Sequence, residues 1–197
     1  QLIFAKGSTI TFTAPYTDSD FTAANGSGTI NVGATITGLA VFREQLVIFT
    51  ERSIFRLVGD TIVNFQLQPI TRDIGCLEGD TIQEIGGDVI FLAPDGLRLL
   101  SGTERIGDFG LGVVSKSIQK NLTSFIATNT SFSSVVIREK SQYRLFGFNT
   151  NINEESAQGI IATQFSAQGG SSVQFGETRG IRAFVAGGNY NEETELT

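Results

Sequence analysis

The stretch Val47-Ile48-Phe49-Thr50-Glu51-Arg52-Ser53-Ile54-Phe55-Arg56-Leu57-Val58-Gly59 is written three times along this chain of 197 residues. The second copy is Val89-Ile90-Phe91-Leu92-Ala93-Pro94-Asp95-Gly96-Leu97-Arg98-Leu99-Leu100. The third is Val135-Val136-Ile137-Arg138-Glu139-Lys140-Ser141-Gln142-Tyr143-Arg144-Leu145-Phe146-Gly147. At a shift of 42 residues, Val47-Ile48-Phe49 falls on Val89-Ile90-Phe91, and Phe55-Arg56-Leu57 on Leu97-Arg98-Leu99. At a shift of 88, Tyr143-Arg144-Leu145 and the closing Gly147 fall into line. Repeat lengths of 42 and 46 residues point to a repeated supersecondary unit, and β-propeller blades have that size.

Each copy reads as a β-hairpin. A β-branched, apolar run suits a pleated and half-buried surface. A polar turn follows, clearest in Pro94-Asp95-Gly96, where Pro pre-sets one φ and Gly accepts a positive one. The returning strand puts Phe55 and Leu57 on one face and Arg56 on the other, because strands have period 2. An arginine there is solvated in a lone sheet. Between two packed sheets it needs a carboxylate or carbonyl partner. Arg98 and Arg144 repeat the pattern, so all three read as structural repeat anchors and not as ligand-binding groups. The expected fold is therefore all-β: a β-propeller or partial propeller of repeated four-stranded antiparallel sheets. The expected organisation is one domain over 1–197, with repeat units at about 1–37, 38–79, 80–123 and 124–188.

Other stretches fill in this plan. Leu2–Ala5 and Thr9–Thr13 read as a hairpin around Lys6-Gly7-Ser8, and Thr29–Thr37 as a strand or strand pair. Arg43-Glu44-Gln45 reads as a turn, Ile62–Leu67 as an outer strand, and Thr81–Ile85 as the opening of the second unit. Apolar residues four apart predict one short helix between Val113 and Leu122. Phe125–Thr128 reads as a strand, as do Gly159–Phe165, Ser172–Phe175 and Arg182–Ala186, with a turn at 187–189.

Composition narrows the function. The chain holds no His, which removes the commonest general base and metal ligand. Its net charge of −6 leaves no electrostatic footprint for nonspecific nucleic-acid binding. The lone Cys76 cannot form an internal disulfide and reads as a small buried hydrophobe. No run approaches the ~20 apolar residues of a membrane helix. The N-terminal residues do not have the form of a signal peptide, and with no Met in the sequence the chain is expected to be a piece of a longer protein.

Candidate sites are weak. Asp18-Ser19-Asp20 hints at calcium, but the later oxygen ligands of such a loop do not follow. Gly107, Gly110 and Gly112 do not give the phosphate-cradling order, and 106–114 reads as a connection. The Asn-x-Ser/Thr triplets at Asn25, Asn121 and Asn129 are within what chance supplies. Serine has no obvious base. Asp73, Glu78, Asp80 and Asp95 are the carboxylates that a glycoside-hydrolase propeller would have to converge. The reading from residues is thus no catalysis, no cofactor and no metal. A receptor- or glycan-binding propeller and a glycoside-hydrolase propeller stay open beside it.

Ile36–Gly59, together with Ile74-Gly75-Cys76 and the line Val89-Ile90-Phe91-Leu92-Ala93-Pro94-Asp95-Gly96-Leu97-Arg98, resembles the propeller proteins of tailed-bacteriophage necks and tails. The nearest in kind are tail tubular, or nozzle-type, proteins of short-tailed phages. The similarity runs over residues 1–149 and more weakly to 188, and the chain lacks the Trp such blades often carry. The resemblance implies a non-enzymatic part of the virion tail. It implies a homo-oligomeric ring, commonly a hexamer, around a channel through which genome DNA passes without specific binding. Other tail or portal-adaptor proteins would be its neighbours, and no membrane would be involved.

Overall fold

The three copies of the opening line are three antiparallel hairpins in three different sheets. The computed structural model describes residues 1–61, 64–101, 113–149, 158–163 and 174–179. The fold is all-β, built from repeated, blade-like antiparallel sheets, each a meander in chain order. The chain divides into two units, Gln1–Gly79 and Asp80–Thr197.

The first unit holds two sheets. β1 (Ile3–Lys6), β2 (Thr9–Phe12) and β3 (Gly28–Asn31) form a three-stranded one. β4 (Ile36–Phe42), β5 (Gln45–Thr50), β6 (Ile54–Val58) and β7 (Gln66–Thr71) form a four-stranded one. β5 is an inner strand, and Val47 to Thr50 are all buried, as expected of a strand covered on both faces. Ile48 pairs with Phe55 and Leu46 with Leu57. These residues face Ile10, Ile3 and Ile30 of the first sheet in one apolar cluster. Arg56 pairs with Val47 and so lies on the opposite face.

The second unit repeats the arrangement. β8 (Gln83–Ile85), β9 (Asp88–Ala93) and β10 (Gly96–Leu99) form a three-stranded sheet. A helix, α1 (Gln119–Thr128), leads to a four-stranded sheet of β11 (Ser131–Ile137), β12 (Gln142–Phe148), β13 (Gln158–Thr163) and β14 (Gln174–Arg179). Val135 pairs with Arg144 and Val136 with Tyr143, the same register as Val47 with Arg56 and Ile48 with Phe55. Tyr143 is fully buried, and its hydroxyl donates to the Thr81 carbonyl at 2.9 Å. The Ser134 hydroxyl donates to the Asp80 carbonyl at 2.8 Å, so the fourth sheet is fastened to the lead-in of the third. In both units the first strands of successive sheets are neighbours: β1 with β4, and β8 with β11.

Several expectations change. Two sheets have three strands among the described residues, where four were expected of each. The strand expected over 62–67 is β7, which starts at Gln66 and carries Pro69 within it. Proline has no N–H, and it is accommodated here because β7 is an edge strand and the register slips beside it, between Ile54 and Phe55. The stretch Thr29–Thr37 divides into the end of β3 and the start of β4, around Gly33.

The helix lies further along than expected, and Phe125–Thr128 is its last turn and not a strand. The β-branched Thr123, Ile126 and Thr128 favour a strand locally. Burial of Leu122 and Phe125, three apart on one helical face, overrides that preference. Asn129 closes the helix by donating to the Phe125 carbonyl at 2.7 Å. The glycine-rich connection at 106–112, residues 62, 63, 172 and 173, and the strand and turn expected over 182–189 lie outside the described residues.

Candidate functional site

The three arginines hold matching places in their hairpins but have different surroundings. Arg56 is half-buried, and its Nε donates to Gln68 Oε1 across the β6–β7 pair at 3.3 Å. Arg144 is half-buried too, and donates to Gln142 Oε1 on its own strand at 3.0 and 3.2 Å. Arg98 is 1% exposed and grips Asp95 with two bonds, one from Nε at 2.9 Å and one from Nη2. Asp95 belongs to the turn that precedes β10, and its side chain is 51% exposed. A carboxylate with one side in water thus neutralises a guanidinium that has almost no water of its own.

The Asp95 turn is held from a second side. Ser115 is fully buried, and its Oγ accepts the Leu97 N–H at 3.1 Å. Gln119 donates to the Asp95 carbonyl at 2.7 Å. Gly96 has φ +140°, and a Cβ there would come within 2.5 Å of Ser115 Oγ. This cluster fixes a turn. Its polar groups are bonded to one another, and it presents no converging pair of carboxylates.

The first unit fixes its equivalent turn differently. Thr50 Oγ1 accepts the Ser53 N–H at 3.0 Å and donates to the Ser53 carbonyl at 2.9 Å. The segment Ile74-Gly75-Cys76, buried throughout, lies against that turn, and the Cys76 N–H donates to the Thr50 carbonyl at 2.9 Å. A Cβ on Gly75 would overlap the Glu51 carbonyl group and the Arg52 nitrogen, so only glycine fits. Cys76 is fully buried, as expected.

The carboxylates singled out from sequence are scattered. In the first unit Asp73 is exposed and Glu78 half-buried, next to this segment. In the second Asp80 is exposed ahead of β8, and Asp95 is bound to Arg98. No group of three or more His, Cys, Asp or Glu that could hold a metal converges among the described residues. In the calcium-like triplet, Asp20 Oδ1 accepts the Thr22 N–H and Oδ2 accepts the Asn25 amide, each at 2.8 Å. The Thr22 N–H, and then the Asn25 amide, hold the Asp20 carboxyl below the usual carboxylate range. That aspartate secures its own loop. No described helix is long and apolar enough to cross a membrane.

Two surfaces were not foreseen. Leu2 (49% exposed), Phe4 (40%) and Phe21 (52%) stand out from the outer side of the first sheet, and Tyr16, in the same loop as Phe21, is fully exposed. Phe4 and Phe21 meet edge to face, with ring centroids 5.9 Å apart. The sequence carried a signal for this. A half-buried strand needs one apolar face, yet Leu2 just before β1 and Phe4 within it fall on the face opposite Ile3 and Ala5. The other surface is a groove of about 310 Å³ in the second unit, lined by Ile118, Asn121, Ile160, Phe175 and Gly176. Its walls come from two stretches, 118–121 and 160–176, at least 39 residues apart in sequence, so no local pattern announces it.

No protein-family profile matches the chain, and no curated protein matches it. Among solved structures, one similar to it is the N-terminal domain of Nup159, a β-propeller, at 10% identity and a TM-score of 0.38. The match takes in 89% of this chain and 57% of that one, so the chain spans less than two thirds of that neighbour's length. So distant a likeness adds nothing to the sheets themselves, and the functional reading rests on the chain's own residues.

Proposed function

We propose that this chain is a structural component of a tailed-phage virion, part of the tail or nozzle ring that forms the DNA-ejection conduit. It works by assembly and not by catalysis. The observation that carries this reading is the junction of the two lines through which the sequence resembles nozzle-type proteins. The turn of Val47–Gly59 and the segment Ile74-Gly75-Cys76 are packed so closely that a single methyl group would separate them. A sequence line that exists to complete its neighbour's packing is a device of architecture. Radial arrangement of the sheets is supported by the way first strands of successive sheets adjoin in each unit. The excess of acidic over basic residues, 20 against 14, suits a conduit wall, since it repels phosphate and lets a duplex slide. The partners are further copies of the chain and adjoining tail or portal-adaptor proteins. Labelled antibody against this chain, imaged on intact virions, is expected to mark a ring below the portal. Label on the capsid shell would refute the proposal.

The exposed aromatics Phe4, Phe21 and Tyr16 favour a second reading, a receptor- or glycan-binding propeller. A glycan array separates the two. Saturable binding to one glycan class, abolished by Tyr16→Ala, supports the second reading, and a blank array supports the first.

A further inference from the structure

We propose that Asn25-Gly26 is a site of spontaneous deamidation that the fold holds in check through Asp20, and that reaction there releases the loop carrying Phe21. This inference does not depend on the assembly reading above. Asn25-Gly26 is the one Asn-Gly pair in the sequence, and the loop between β2 and β3 calls for both of its members. Gly26 ends the short 3₁₀ turn Ala23–Asn25 at φ 92°, and a Cβ there would come within 3.2 Å of Pro15. Asn25 supplies the amide that donates to Asp20 Oδ2 at 2.8 Å. Such a pair is reactive, because glycine has no side chain to shield its nitrogen. The Gly26 backbone nitrogen loses its proton and attacks Asn25 Cγ. A bond forms between them, the bond from Cγ to Nδ2 breaks, and ammonia leaves with a proton. Water then opens the cyclic imide at either carbonyl, giving aspartate or isoaspartate. One water is consumed and one ammonia released, with no oxidation or reduction.

Asn25 is exposed, so water reaches it, yet both reacting groups are tied. The Gly26 N–H donates to the Ala23 carbonyl at 3.0 Å, which keeps its proton engaged. Asn25 Cγ cannot turn toward Gly26 without breaking the bond to Asp20. Asp20 is fixed in turn, since its Oδ1 accepts the Thr22 N–H at 2.8 Å and its own N–H donates to Thr17 Oγ1 at 3.2 Å. Reaction therefore requires the loop to open locally. Once it has occurred, the loop does not close as before. A carboxylate stands where the amide donor was and faces Asp20 Oδ2 with no proton between them, so a bond becomes a like-charge contact. Isoaspartate also lengthens the main chain by one carbon and shifts Gly26 from the Ala23 carbonyl. Phe21 follows Asp20 directly, and its edge-to-face contact with Phe4 depends on this loop.

The whole chain, incubated in mildly alkaline buffer, tests this by peptide mass spectrometry of Asn25 with detection of isoaspartate. The folded parent is expected to react at least about tenfold more slowly than the same chain in urea. Equal rates overturn the proposal. Asp20→Ser keeps a hydroxyl for the Thr22 N–H but does not reach Asn25, and is expected to react at least about threefold faster than the folded parent. A parental rate in that variant overturns the role given to Asp20. Asn25→Asp reproduces one product without the reaction. It is expected to raise hydrogen exchange at the Gly26 amide at least about threefold while the β2 amides stay protected. Unchanged exchange at Gly26 overturns the release of the loop, whatever Asp20→Ser does to folding. Adding Asp20→Asn to Asn25→Asp exchanges donor and acceptor and is expected to return Gly26 to parental exchange; failure to do so overturns the like-charge account.

Discussion

The turn between β4 and β5 and the turn between β8 and β9 do the same work with opposite residues. Each is a two-residue link, closed by Phe42 with Gln45 in one unit and Ile85 with Asp88 in the other. Each has both central residues at positive φ, the pattern that matches the twist of a hairpin. The second unit uses Gly86-Gly87, which adopts that backbone freely. The first uses Arg43-Glu44, with φ 49° and 63°, where a Cβ is crowded. Arg43 recovers something by lying 4.7 Å over the Phe42 ring. The repeated backbone therefore does not come from repeated turn residues. Strand pairing on either side imposes it, and the turn residues only raise or lower its cost.

The hairpins that follow teach the same lesson. Arg56 and Arg98 fall on one another in the repeat, yet the half-buried Arg56 bonds a neutral amide and the buried Arg98 a half-exposed carboxylate. Phe55 and Tyr143 also coincide and both face the preceding sheet, one in an apolar cluster and one on a carbonyl.

The largest expected effect breaks the clamp that Gly75 makes in the first unit. Gly75→Ala must push its methyl group into the Glu51–Arg52 backbone, which cannot swing away as a side chain could. A loss of roughly 3 kcal/mol or more is expected in urea unfolding. A variant as stable as the parent would show that the segment is free to move aside.

Next comes the contrast between the arginines. Asp95→Asn removes the charge of the carboxylate that the buried Arg98 grips and is expected to cost about 2–3 kcal/mol, the partial exposure of Asp95 holding it below the figure for a fully buried pair. Gln68→Ala, which removes the amide oxygen that accepts from Arg56 Nε, is expected to cost under about 1 kcal/mol. Equal costs in the two variants would erase the distinction drawn between the hairpins.

A smaller effect tests the other coincident pair. Tyr143→Phe removes a hydroxyl from the buried Thr81 carbonyl and is expected to cost about 1–2 kcal/mol. The reverse change, Phe55→Tyr, brings a hydroxyl into an apolar cluster and is expected to destabilise as well. If Phe55→Tyr were neutral, a polar partner would have to exist on that side.

The smallest effect has the opposite sign. Arg43→Asn with Glu44→Gly gives the first unit a turn suited to its backbone, for an expected gain of up to about 1 kcal/mol, less what the Phe42 contact contributed. A fall in stability would mean that Arg43 and Glu44 are held by more than the turn.

The repeat, its hairpins and the opposed faces of each arginine strand were legible in the residues alone. Period-2 alternation and turn chemistry are local properties of the backbone, and three copies of one line reinforce one another. Tertiary structure decided the rest. It chose Asp95 and Gln68 as partners for equivalent arginines, and it drew Phe125–Thr128 into a helix against its β-branched residues by burying Leu122 and Phe125. It also left Phe4 and Phe21 in contact on an outer surface. Each of these outcomes depends on which distant segment is brought alongside. A local pattern fixes the direction of a side chain, but the energy of that side chain depends on what it meets there.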